Sequence, residues 1–484
     1  MISTNNNLHR SKISGGDAIA AGGFGCVFKP PLTCEQANSD TYNPNGVSKL
    51  MYTEDAISEL DKMNKIPEII KIIPNYKNYF LLHSYNICKP APLTGNDLIS
   101  FNNKCDNFKF KSNGVNSTNI NQVRNQLNII NMPYGGNDLD EYWNRLISDK
   151  SSGKDKLQSF LKTCQELANL VVYAIIPMNQ LGLLHLDLKS LNILRNKGIF
   201  TTKDVKVTMI DWGLCAIVDN THTIPRMVTG RPFQFNLPVG IILFYRLHEL
   251  DDILKKQYGG RTIKNREITK KAVQKYLTYI RSSKPSQPHL DAIYDTTFKY
   301  LKFLKKIDTT IVVPVDPVLE LISEIVYHFT CEPCMVNQRN YFDHKRYFFE
   351  VVLVNADLHG FLTSYINILD IYINTATTPA QSPTMIKLLF LFKKYCLDTT
   401  YAITPINIDI FKKEIKDTYS SSKKTYEKNL TFFNMFSTSQ SKTTKSKKRK
   451  QAKQTKQAKT KKAKTNKKRK QTKKNKKRKQ TKKK

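Results

Sequence analysis

Residues 441 to 484 set the limit on what this chain can fold, because they hold 25 of its 77 lysines and arginines and no aspartate or glutamate. One heptapeptide recurs in them: KKRKQAK at Lys447–Lys453, then KKRKQTK at Lys467–Lys473 and at Lys476–Lys482. Apart from a few alanines and the lysine stems, nothing there suits a core. Ordering a backbone costs about 1–2 kcal/mol per residue, so the stretch from 437 to 484 reads as a disordered tail. The fold must come from the residues ahead of it, which keep 52 basic side chains against 40 acidic ones. A disordered polycation releases the condensed counterions of a polyanion, so nonspecific nucleic acid is an expected partner through 441–484. No aromatic residue interrupts the tail to stack on bases. A nuclear-import address and a solubilising extension without a partner fit the same composition.

The mean hydropathy is −0.45 and 40% of residues are hydrophobic. No apolar run approaches the roughly 18–20 residues of a spanning helix, and MISTNNNLHRSK lacks the apolar centre of a signal peptide. The expectation is no membrane and an intracellular protein. Nine scattered cysteines do not read as a disulfide framework, so reduced thiols are expected. Cys331 and Cys334 have C-x-x-C spacing, with His328 and His344 near enough to complete a zinc tetrahedron. A lone pair of this kind reads more simply as free thiols.

Residues 1–15 look loose. From Asp17 to Lys29 the pattern is strand, glycine turn, strand, and Val47–Met51 is another strand. Glu54–Ile66 reads as a helix with Ile57, Leu60 and Met63 inward, ended by Pro67. Tyr79–Ile87 and Leu127–Met132 read as strands around an Asn-rich insertion at about 102–126. After Gly135 and Gly136 the periodicity turns helical, most clearly over Lys156–Asn179. Two short strands lie between Asn192 and Asp211, and 240 to 436 is mostly helical. This is a sheet-rich front and a helical rear with a cleft between them.

Gly22 and Gly25, three apart between strands, would let backbone N–H groups approach a polyphosphate, although a tight hairpin explains them equally. In HLDLKSLNIL, Asp187, Lys189 and Asn192 place a carboxylate, a cation and a carboxamide in one short loop. Asp211 ends the strand VKVTMI ahead of Trp212 and Gly213. A carboxylate at the end of a buried strand needs a cap or a metal ion to justify it.

These residues resemble the eukaryotic-type protein kinases. HLDLKSLN is similar to their catalytic loop, and Asp211-Trp212-Gly213 to their D-F-G element. IAAGGFGCV resembles the glycine-rich loop, with Ile19 and Val27 flanking the glycines and Ala20 at the first glycine position. Lys49 resembles the strand lysine and Glu59 its helix partner. Met132, Pro133, Tyr134 and Gly135 resemble the hinge that takes the adenine edge, with Asp138 in reach of the ribose. The resemblance implies an α+β, bilobal protein-kinase-like fold, with an N-lobe over 16–134 and a C-lobe over 135–436. A family-specific helical insert over 241–349 would separate Pro238 from VNADLHGF, where Asp357 would support the catalytic loop.

The implied activity is transfer of the γ-phosphoryl of ATP to protein hydroxyls, with Mg²⁺ held by Asn192 and Asp211. Asp187 would accept the hydroxyl proton, Lys49 would bridge the phosphates, and Lys189 would neutralise the moving phosphoryl group. Lys189 at that position resembles serine/threonine kinases. The Asn-, Ile- and Lys-rich composition and the RPFQFN segment resemble kinases encoded by giant DNA viruses, which implies host cytoplasm, nucleus or virion.

Leu186 replaces the arginine before the catalytic aspartate, which removes the usual anchor for a phosphorylated activation loop. Trp212 replaces phenylalanine, and Val239 follows Pro238 where A-P-E has glutamate. These departures, with Ala20 and the short interval from Lys49 to Glu59, keep a kinase-fold scaffold (a pseudokinase) open. The I-D-W-G string keeps open a small-molecule kinase of the aminoglycoside or choline type.

Overall fold

In the computed structural model the described residues are 16–21, 25–36, 43–105, 108, 114–219, 223–230, 233–261, 263–283, 286–330, 341–375, 382–419 and 422–438. Residues 439–484, the first fifteen residues, Gly22, and Cys331 with Cys334 lie outside them, while 437 and 438, expected in the tail, end the helix Lys423–Thr438. The chain is α+β, with a small antiparallel sheet and many helices. No helix among the described residues is long and apolar enough to cross a membrane.

Five strands make the main sheet: β1 (Asp17–Ala21), β2 (Gly25–Lys29), β3 (Gly46–Tyr52), β4 (Asn86–Cys88) and β5 (Leu127–Pro133), in the order β1-β2-β3-β5-β4. Register sets the faces. Lys49 lies opposite Val27 on one side and Ile130 on the other. Its neighbours Ser48 and Leu50 point to the opposite face, where Leu50 joins Cys26, Phe28, Leu127 and Ile129 in a buried cluster. The Asn-rich insertion closes that outer face with Phe101, Phe108, Val115 and Ile120.

Helix α1 (Thr53–Ile70) begins directly after β3, with Glu54 and Asp55 in its first turn, where acidic groups suit the helix dipole. Its buried face is Ala56, Glu59, Met63, Ile66 and Ile70, while Ile57 is 56% exposed. The expected inward face is thus turned by one residue. The bond from Lys49, which hydropathy does not register, selects Glu59 over Ile57. The expected stop at Pro67 also fails. A proline inside a helix removes one hydrogen bond, yet Ile66 and Ile70 on either side of it are fully buried and keep the last turn in place.

The expected strand over Tyr79–Ile87 shrinks to Asn86–Cys88. Residues 79–81 pair elsewhere: Met209 N donates to Tyr79 O at 2.8 Å and Leu81 N to Met209 O at 3.4 Å. That switch carries the Phe80 ring out of the sheet and onto Trp212, with centroids 5.6 Å apart.

The helical part starts with Leu139–Ser148, capped by Asp138, and Gly153–Leu170, capped by Ser152. The latter continues through a π turn, Val171–Ile175, into Ile176–Gln180. Two small sheets carry the polar loops: Leu183–Leu184 with Ala216–Ile217, and Asn137–Asp138 with Ile193–Arg195 and Val207–Met209. Helices Leu247–Tyr258, Arg266–Ser282, Gln287–Ile307, Pro317–His328 and Leu353–Thr363 build the rear.

The expectation of reduced thiols is overturned for four cysteines. Cys26 is bonded to Cys105 and Cys34 to Cys88. All four belong to the sheet and its insertion, but 79 and 54 residues separate the partners, so spacing along the chain does not reveal them. Cys164, Cys215 and Cys396 are free and buried.

Candidate active site

Lys49 projects from the middle of β3 and is 6% exposed. Its Nζ donates to both carboxylate oxygens of Glu59, at 2.8 and 2.7 Å, and to Asp211 Oδ1 at 3.0 Å. The ten-residue interval suffices because α1 starts without a connecting loop. Burial opposes the charge on Lys49, but Asp211 and Glu59 outweigh it and hold the pKa above its ordinary value. Burial raises Glu59 in spite of Lys49. Burial also works against the Asp211 carboxylate, yet Lys49 keeps it below the usual range. One ammonium therefore serves the buried Glu59 carboxylate and the half-buried Asp211 carboxylate, with Lys62 acting on the first and Lys189 on the second.

In the loop after Leu183–Leu184, Asp187 is 4% exposed. Its Oδ1 accepts from Lys189 Nζ at 3.1 Å and from Asn236 Nδ2 at 3.1 Å. Its Oδ2 accepts from Lys189 Nζ at 3.0 Å and from Asn192 Nδ2 at 3.0 Å. Asn192 also reaches the Asp187 carbonyl at 2.7 Å, and Asn236 the Leu188 carbonyl at 3.0 Å. Both carboxylate oxygens are aimed by donors from two separate segments of chain.

Beneath this loop the Asp357 carboxylate accepts His185 N at 2.7 Å and Leu186 N at 2.9 Å. Gly360 lets its helix approach, since a Cβ there would stand 2.8 Å from the Leu188 carbonyl oxygen. His185 Nε2 donates to Ile210 O at 3.0 Å while its Nδ1 accepts Asp187 N at 3.3 Å. That pattern specifies the Nε2–H tautomer. Trp212 is 4.6 Å from the His185 ring, and Lys62 of α1 donates to Gly213 O. Leu186 and Asp211 both adopt the left-handed region, with φ of 59° and 65°. Strain of this kind persists where surrounding contacts over-determine it.

Asn192 and Asp211 offer hard oxygen ligands suited to Mg²⁺. Asn192 uses its Nδ2 on Asp187, and Asp211 uses Oδ1 on Lys49, so Asn192 Oδ1 and Asp211 Oδ2 have no hydrogen bond among the described residues. One carboxylate and one amide do not make a complete cage, and no group of three or more His, Cys, Asp or Glu among the described residues could hold a metal. Water and phosphate oxygens would have to complete the set.

The remaining expected residues are more dispersed. Ile19 sits at an irregularity of β1 and is 42% exposed, while Val27 is half-buried opposite Ala20. Gly25 lies inside β2, where a Cβ would meet Leu50 O at 2.7 Å, so strand packing already accounts for it. Met132 pairs with Val47 near the end of β5. Gly135 faces Leu194 and Leu81, and at Gly136, with φ of 111°, a Cβ would lie 1.9 Å from Arg195 O. Asp138 Oδ1 accepts Glu141 N at 2.8 Å and caps the helix that starts at Leu139. Desolvation raises its pKa.

Asn236, Lys62 and Phe80 have no signature in the sequence; each reaches the site through a long-range contact. Within RPFQFN, nothing about the spacing of Asn236 sets its amide apart from that of Gln234. Leu186 and Val239 join Ala216, Val228, Phe233 and Leu237 in one buried apolar cluster. No family model matches this chain, and no curated protein matches it.

Proposed function

We propose that this protein is an ATP-dependent serine/threonine protein kinase on a bilobal kinase-like fold, of the kind encoded by giant DNA viruses. What carries the reading is the convergence of Lys49, Glu59 and Asp211 with the Asp187–Lys189–Asn192 loop from opposite walls of one crevice. In this reading the sheet and α1 form the N-lobe, and the helical part from 135 onward forms the C-lobe. Asn192 and Asp211 would hold Mg²⁺, which would neutralise phosphate charge.

Lys49 holds the phosphates of ATP, fixed by Glu59. Asp187 receives the proton as the substrate hydroxyl oxygen bonds to the γ-phosphorus and ADP departs, and Lys189 offsets charge on the group in transit. Met132, Gly135 and Asp138 would line the purine and ribose side, with Ile19, Gly25 and Val27 over the nucleotide. Leu186 and Val239 dock the segment after Asp211 by apolar packing, so activity does not depend on a phosphate there. Asp187→Asn should lower labelled transfer from ATP to a mixed protein substrate by about 10²- to 10⁴-fold while ATP binding persists. Equal activity in the two proteins would end the reading.

Of the features that motivate the scaffold alternative, Ala20, the short Lys49–Glu59 interval and Val239 after Pro238, the interval loses its weight because two hydrogen bonds bridge it. The tail is proposed to hold the kinase on nucleic acid, in host cytoplasm, nucleus or virion. Disulfides persist in oxidising surroundings, so such a location has to include an oxidising step. Deleting 441–484 should abolish salt-sensitive nucleic-acid retention and leave peptide phosphorylation intact; unchanged retention would remove the tail from the account.

A further inference from the structure

We infer that a cleft of about 250 Å³ at the Met132 end of the main sheet is a binding site for an uncharged imide, with the uracil ring as its type. The inference stands apart from the kinase reading, because the asparagines that would hold the ligand lie on the sheet face opposite Lys49.

Register puts three polar side chains in a row across that face. Ser48 of β3 lies opposite Asn131 of β5, and Asn131 lies opposite Asn86 of β4. Residues directly opposite in an antiparallel pair share a face. The next row on the same face, Leu50, Ile129 and Cys88, is apolar and packs with Phe101 and Phe108 of the insertion. Asn86 and Asn131 instead border the cleft, with Pro31 and Asn43 from the β2–β3 connection and Ser84 from the segment ahead of β4.

Hydrogen bonds define what the cleft lacks. Ser48 Oγ accepts Leu32 N at 2.7 Å, so its own hydrogen goes to Asn131 Oδ1. That turns Asn131 Nδ2 toward Cys34 Sγ and Cys88 Sγ, at 3.5 and 4.0 Å, and sulfur is a weak acceptor. Asn43 Oδ1 takes Asn45 N at 3.0 Å, while its Nδ2 has no partner among the described residues. Asn86 has no hydrogen bond among the described residues at either end of its carboxamide, although its Oδ1 is shielded from solvent. A buried acceptor without a partner calls for an explanation, and rotation about χ2 would present it to the cleft.

The spare capacity is therefore several N–H donors and one carbonyl acceptor. An edge with two carbonyls flanking one N–H matches it, which is the edge of an imide. No acidic or basic side chain borders the cleft, so the ligand is uncharged, and Pro31 and Met132 offer apolar contact to a ring. A single water, with its share of about 30 Å³, would leave most of the space unfilled.

The test titrates the isotope-labelled full chain with uridine and follows the side-chain amide signals of asparagine. Signals that disappear in Asn86→Leu should be among those that shift, with a Kd of about 0.1–1 mM. Uridine methylated on the imide nitrogen, and cytidine, which has an amino group in place of one carbonyl, should each bind about tenfold more weakly. Asn86→Leu should lose the site without a fall in Tm, because its carboxamide has no partner to forfeit. Asn43→Ala, at the exposed rim, should weaken uridine about threefold at unchanged Tm. ATP with Mg²⁺ should not displace uridine, which separates this site from the nucleotide site of the kinase reading. Absence of a saturable shift, equal binding of the methylated nucleoside, displacement by ATP, or unchanged binding in both variants overturns the inference and leaves the kinase reading standing. A lowered Tm in Asn86→Leu overturns it as well, since the carboxamide would then be satisfied within the chain.

Discussion

The two halves of the candidate site are held in different ways. On the sheet side a single ammonium, Lys49, meets two carboxylates, Glu59 on α1 and Asp211 after the strand Val207–Met209. On the helical side Asp187 is aimed by a lysine and two neutral amides, and the loop that carries it is pinned through backbone N–H groups to Asp357. The first arrangement is charge held in place by where α1 sits, so displacing α1 would break it at once. The second is a lattice with several independent anchors, so losing one should misaim Asp187 without dismantling the wall. Stability and activity should therefore separate between the two sides.

The largest effect is expected from Lys49→Met. Removing one partner of a buried ion pair costs about 3–5 kcal/mol, and Glu59 and Asp211 would be left facing each other. The pH dependence should reverse with it. In the wild type, Lys49 is raised above 10.5, so its contribution is present below that pH and fades as pH climbs past it. Asp211 is depressed below 3.8, so its contribution is present above that pH and fades as pH falls beneath it. Glu59, raised by burial, works against Asp211 on the acid side, so the wild-type cluster should be least sensitive to pH around neutrality. In Lys49→Met both carboxylates rise, the native state binds protons more readily than the unfolded one, and Tm should increase as pH falls toward about 5. A Tm profile as flat as the wild type's would show that the ion pairs are not what holds this wall.

A smaller effect, confined to the sheet side, is expected from the double replacement Cys26→Ser with Cys105→Ser. Opening a disulfide that closes a long loop costs about 2–4 kcal/mol. Thermal unfolding should shift down by that amount, and non-reducing peptide mapping should lose the linked pair. A reducing agent that leaves the wild-type Tm unchanged would show that the bond contributes nothing.

Asn236→Ala is the smallest perturbation and the sharpest test of the helical wall. A hydrogen bond to a charged group contributes about 1.5–3 kcal/mol, so kcat should fall roughly 10- to 100-fold. KM for ATP should not change, and Tm should shift less than in the other two variants. A variant that loses Tm while keeping kcat would make Asn236 a packing residue.

Much of the site was legible because its parts are local. Asp187, Lys189 and Asn192 share one loop, and Asp211 ends the strand that pairs with it. The faces of the elements were harder to read. Ile57 looked like core and is exposed, because the bond from Lys49 to Glu59 turns that side of α1 inward. Tyr79–Ile87 looked like strand, but Met209 competes for its backbone. The cystine pairs and Asn236 left no mark along the chain, since each joins segments dozens of residues apart.

By itself the sequence determined where a core was possible, which segments alternate as strand or helix, and which ionisable groups stand within a few positions of one another. Those are properties of short stretches, set by hydropathy, steric preference and charge. Tertiary structure alone decided which carboxylates share the Lys49 ammonium, which amide aims Asp187, and which cysteines meet. Those choices depend on distances between remote segments, and such distances exist only once the burial of the whole chain has brought the segments together.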